Sequence, residues 1–62
     1  MVVELKDSVA GTDVYINPTY VVSLRPDPAD PHRVTMLKLS DGESIRVIGE
    51  DREVAEKLAR AR

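Results

Sequence analysis

Few side chains in this sequence could carry out chemistry. His32 is the only histidine, and it ends the stretch Pro26-Asp27-Pro28-Ala29-Asp30-Pro31-His32. Asp27, Asp30 and His32 could together face a divalent cation, but their spacing matches no established ligand pattern. A single histidine and the absence of cysteine argue against a structural zinc site and exclude disulfides. Serines 8, 23, 40 and 44 have no glycine-flanked elbow and no nearby base. With only three glycines there is no phosphate-cradling loop. No metal, cofactor or catalytic residue is expected, and the chain reads as a protein that is not an enzyme.

The second chemistry to weigh is cationic. Arg25, Arg33, Lys38 and Arg46 could bind the phosphates of a nucleic acid, with His32 extending the patch. Two observations count against this. The net charge is −2 and the sequence pI about 5.2, whereas nucleic-acid binders usually carry a basic excess. Tyr15 and Tyr20 are the only aromatics, so base-stacking side chains are not interleaved with the basic ones.

The elements that must position these residues follow from alternation and punctuation. Runs of β-branched and aliphatic residues predict strands over 2–6, 14–16, 20–25, 33–39 and 43–48. Asp7 to Asp13 contains the turn formers that end the first strand, and Asn17-Pro18 stops the second. Pro26, Pro28 and Pro31 cannot occupy a sheet interior or continue a helix, which makes their segment a stiff surface loop. After Gly49, residues 50–61 read as a helix. Its acids (Glu50, Asp51, Glu53) lead and its bases (Lys57, Arg60, Arg62) trail, as the helix dipole favours. Glu53–Lys57 and Glu56–Arg60 are correctly oriented i,i+4 pairs, and Val54, Leu58 and Ala61, with Ala55 beside them, form a narrow apolar stripe. The predicted architecture is mainly β, of the α+β class: one domain, a small antiparallel β-meander of about five strands with one C-terminal helix.

Parity fixes the last hairpin. A two-residue Asp41-Gly42 turn would pair Leu39 with Ser44 and Leu37 with Arg46, splitting the apolar set between both faces. A three-residue loop, Ser40-Asp41-Gly42, pairs Leu39 with Glu43, Leu37 with Ile45 and Thr35 with Val47, and puts Gly42 where a left-handed residue is needed. The other face then holds Val34, Met36, Lys38, Ser44, Arg46 and Ile48, apolar at one end and basic at the other. An apolar cluster that the core does not use marks a contact surface. The expected partner-binding residues are Val34, Met36 and Ile48, together with the proline loop (Pro26, Pro28, Pro31).

Size points the same way. A 62-residue domain buries only about 60% of the surface its unfolded chain exposes. Without disulfide or metal, association with a copy of itself or with another protein is the expected extra support. The N-terminus, Met1-Val2-Val3-Glu4-Leu5-Lys6, reads as neither signal peptide nor membrane span, and a cytoplasmic location is expected.

From Tyr15 to Leu58 the layout resembles the small flagellar FlbD family, also called SwrD. The matching residues are Tyr15-Ile16-Asn17-Pro18, Val21, Leu24, Leu37-Lys38-Leu39-Ser40-Asp41-Gly42, Val47 and Glu53-Val54. The chain departs from that pattern in its longer loop from Pro26 to His32 and in Gly49-Glu50, where a serine-type helix cap is expected. The resemblance implies a non-enzymatic accessory protein acting on the flagellar motor through protein contacts. Similar strand-turn-hairpin segments occur in LytTR-type DNA-binding domains, in line with the alternative of a small nucleic-acid-binding regulator.

Overall fold

The computed structural model describes residues 1–61. Five strands form two antiparallel sheets, and a helix follows them: β1 (Val3–Lys6), β2 (Asp13–Ile16), β3 (Val21–Pro26), β4 (Val34–Leu39), β5 (Ser44–Ile48) and α1 (Asp51–Arg60). β1 pairs with β2, while β3, β4 and β5 form a sheet in that order. The class is mainly β with one C-terminal helix. The strands are not one continuous meander, because β2 and β3 do not pair. Asn17 starts a single 3-10 turn (Pro18–Tyr20), its side-chain oxygen accepting from the Thr19 amide at 3.0 Å. That turn redirects the chain instead of folding it back as a hairpin. The two sheets meet on the far side, through an antiparallel bridge between Asp7 and Val47 and a bond from the Ser8 amide to the Arg46 carbonyl at 2.9 Å.

Element ends shift by a residue or so from the sequence expectation. Tyr20 belongs to the 3-10 turn, Arg33 and Glu43 lie outside their strands, and α1 is flanked by Glu50 and Ala61. β3 runs on through Pro26, which pairs with Thr35. The placement is tolerated because β3 is an edge strand and the nitrogen without hydrogen faces away from β4. The β4–β5 register is the one parity selects: Thr35 opposite Val47, Leu37 opposite Ile45, Met36 opposite Arg46 and Val34 opposite Ile48. The Leu39 amide donates to the Glu43 carbonyl at 2.8 Å, and Gly42 turns with φ of 90°.

The core lies on one side of the three-stranded sheet. Val3, Leu5 and Ile16 of the small sheet, Leu37 and Val47 of the large one, and Val54 and Leu58 of the helix form one buried cluster. Full burial of a side chain such as Leu37 contributes about 1.5–3 kcal/mol. Val54 and Leu58 stand one turn apart and face the sheet, whereas Ala55 is exposed and Ala61 half-buried. On the polar face of α1, Glu56 and Arg60 close an ion pair; the Glu53–Lys57 pair is not closed among the described residues. Gly49 joins sheet to helix. Its carbonyl accepts from the buried Thr35 hydroxyl at 2.8 Å, and its amide donates to the Arg33 carbonyl at 2.7 Å. A Cβ at this position would lie 3.2 Å from Val54 Cγ2, and the backbone φ is 134°.

Candidate binding face

Because the core occupies one face of the β3–β4–β5 sheet, the alternate residues of each strand face outward. Strand register arranges them as a grid. The first row, read across β3, β4 and β5, is Ser23, Lys38 and Ser44; the second is Arg25, Met36 and Arg46. In the third, Val34 stands opposite Ile48, and Asp27 flanks it just beyond the end of β3, its amide donating to the Val34 carbonyl at 3.0 Å. Columns are about 4.8 Å apart and rows about 7 Å. A bulge at Val22, between the Val21–Leu39 and Ser23–Lys38 pairs, brings Ser23 and Arg25 onto this face.

Asp27 organises the apolar end. Its Oδ1 accepts from the Ala29 amide at 3.0 Å, closing a turn inside the proline segment. Its Oδ2 lies 3.1 Å from Arg46 Nε. Asp27 is on the β3 side and Arg46 on β5, so the ion pair spans β4 diagonally between the rows of Met36 and Val34. The Asp27 side chain is almost wholly buried, at 5% exposure, while the Arg46 side chain is half exposed. The proline segment is therefore not simply an exposed loop: its first residue after β3 is tied down across the sheet. In the sequence Asp27 stands out only as a potential metal ligand beside Asp30 and His32. Among the described residues, no group of three His, Asp or Glu side chains is placed to hold a metal ion.

The expected site residues separate into groups. Val34, Met36 and Ile48 do share the outer face; Val34 and Met36 are half-buried and Ile48 is 50% exposed. Pro28 and Pro31 are exposed in the loop. Pro26 pairs with Thr35 and so has the opposite parity, away from the grid. Of the basic residues, Arg25, Lys38 and Arg46 all belong to the grid, and Arg33 lies in the turn before β4. Both tyrosines lie elsewhere, Tyr15 opposite Glu4 on the small sheet and Tyr20 in the 3-10 turn.

At the polar end, Ser23, Arg25, Met36, Lys38 and Ser44 line a shallow depression of about 200 Å³. The ion pairs among the described residues are Arg46–Asp27 and Arg60–Glu56, which leaves Arg25 and Lys38 without a carboxylate partner. Two cations, two hydroxyls and a thioether floor can receive an anion with an apolar neighbour. A second depression, about 280 Å³, runs between β3 and α1 and is lined mainly by Val21, Val22, Leu24 and Leu58; it offers no charge. No helix among the described residues is long and apolar enough to cross a membrane.

Comparison of the chain with family models, with curated proteins and with solved structures finds no match.

Proposed function

We propose that the protein is a non-enzymatic binding module whose contact surface is the outer face of the β3–β4–β5 sheet, and that its partner is a protein. One observation carries the reading: Met36, Val34 and Ile48 lie together on the sheet face opposite the core cluster. Apolar side chains gathered on a face the core does not use favour a contact surface. The small one-sided core supports an association that adds buried area, with a second copy or with another chain. The resemblance to the FlbD family would place the partner in the flagellar motor.

Nucleic acid is the second reading, favoured by the shared position of Arg25, Lys38 and Arg46. The acid Asp27 in the same grid and the absence of aromatics from it weigh against that reading. The test is affinity capture with tagged chain, with and without nuclease, comparing wild type with Met36→Asp and Ile48→Lys. Proteins retained after nuclease and lost with both variants are the expected result, with far-UV ellipticity of the variants unchanged. If retention and solution mass are the same for all three chains, the outer face is not the contact surface.

A further inference from the structure

Resting on that reading, we infer that the partner presents an acidic segment, with carboxylates for the Arg25–Lys38 end of the grid and a large apolar side chain for the Met36–Ile48 end. Charge complementarity and an internal precedent support this occupant. In a chain whose net charge is −2, the ionisable side chains of this face are three cations (Arg25, Lys38, Arg46) and a single acid, Asp27. That acid shows what the face accepts: a carboxylate laid across the sheet against a guanidinium, 3.1 Å from its Nε. It satisfies Arg46 alone.

Arg25 and Lys38 occupy adjacent columns and successive rows, so their Cα atoms are roughly 8 Å apart. Long side chains at that separation can close on one carboxylate between them. The hydroxyls of Ser23 and Ser44 flank Lys38 in its row and can donate to the same oxygens. Met36 forms the floor next to this position, and Ile48 stands one row further. From the Lys38 row to the Ile48 row is about 13 Å, within reach of an extended segment of roughly four or five residues. A polyphosphate backbone would find cations at one end only, and beyond them the Asp27 carboxylate and an apolar row.

The experiment titrates the wild-type chain against fluorescein-labelled peptides by anisotropy at low and physiological salt. The probe peptide has a leucine flanked by two glutamates on each side; controls replace glutamate by glutamine, or leucine by serine. A single-stranded oligonucleotide of similar length is run in parallel. Expected are binding of the glutamate peptide and a loss of about twofold to fivefold for each of Arg25→Gln and Lys38→Gln, as befits exposed charge pairs. The double reversal Arg25→Glu/Lys38→Glu should lower affinity on the order of tenfold or more, and salt should weaken binding throughout. The glutamine and serine peptides should both bind more weakly than the probe. Equal affinity for the glutamine peptide, or tighter binding of the oligonucleotide, overturns the inference. So does a chain that binds no peptide but forms a dimer broken by the double reversal, which assigns the face to a second copy. If Met36→Asp abolishes capture of a protein partner while the double reversal does not, the inference fails and the proposed function stands. If neither variant alters capture, the proposed function fails as well.

Discussion

The ion pair across β4 invites the most direct test of this architecture, by a double-mutant cycle on Asp27 and Arg46. Asp27→Asn keeps a side-chain oxygen for the Ala29 amide and so spares the turn, but removes the charge facing Arg46. A charge-assisted hydrogen bond has a net worth of about 1.5–3 kcal/mol when desolvated, and an exposed ion pair about 0.2–1 kcal/mol. The carboxylate here is buried and the guanidinium half exposed, so the pair falls between these limits. We expect Asp27→Asn to cost about 1 kcal/mol. Arg46→Met should cost more, about 2 kcal/mol, because it strands a buried charge with only the Ala29 amide for company. In the double variant no charge is stranded, and its cost should fall short of the sum of the two by about 1–1.5 kcal/mol. Urea unfolding followed by far-UV ellipticity at neutral pH and low salt measures all four corners. For a domain of this size 1 kcal/mol moves the melting temperature by about 4–8 °C, so thermal melts give an independent reading. Costs that add to within about 0.5 kcal/mol would refute the coupling, and with it the idea that the proline segment is tied across the sheet.

Two further outcomes follow from single residues. Gly49→Ala should cost about 1–3 kcal/mol, from its positive φ and the contact 3.2 Å from Val54 Cγ2; Gly42→Ala, also at positive φ but with open space around it, should cost less, and thermal melts showing the opposite order would sink the Val54 argument. Asp7 titrates below the ordinary aspartate value, chiefly because its carboxylate accepts the Ala10 amide and then the Val9 amide. A depressed folded value means that its contribution is fully present above the unfolded value, about 3.9, and is lost as pH falls through the lower folded value. The wild type should therefore lose more stability than Asp7→Asn in acid unfolding below about pH 4, and parallel curves would contradict the assignment.

The hairpin was the most legible part of the sequence, for a physical reason. Side-chain period in a strand is two, so the apolar parity of Leu37, Leu39, Ile45 and Val47, with a glycine at Gly42, left one loop length that kept them on one face. That solution also determines which residues lie outward, so the sequence alone groups Val34, Met36, Lys38, Arg46 and Ile48. What stayed hidden was non-local. The bridge from Asp7 to Val47 joins the sheets through backbone groups, which carry no side-chain signature. Asn17-Pro18 marks where β2 stops but not how the chain continues, and it is the 3-10 turn there that separates β2 from β3. Asp27 was obscured by its prolines, which signal stiffness and suggest exposure. The Asp-Pro-Ala order does permit the Oδ1–Ala29 turn, but its pairing with a distant arginine depends on the bulge at Val22 and on strand order.

The same asymmetry bears on how stability and recognition can be pulled apart. The buried apolar cluster lies on one side of the large sheet, so the other face is free to hold charge without unpairing the core. Within that face the three cations are not equivalent. Arg46 neutralises a buried acid and contributes to holding the proline segment, so its replacement disturbs fold and surface together. Arg25 and Lys38 make no ion pair among the described residues, and both are exposed. Exposed substitutions away from packed features rarely change stability by more than about 0.5 kcal/mol. Reversing Arg25 and Lys38 therefore changes the potential of the face while leaving its scaffold intact. A binding defect in that variant reports recognition, whereas one in Arg46→Met could arise from either cause.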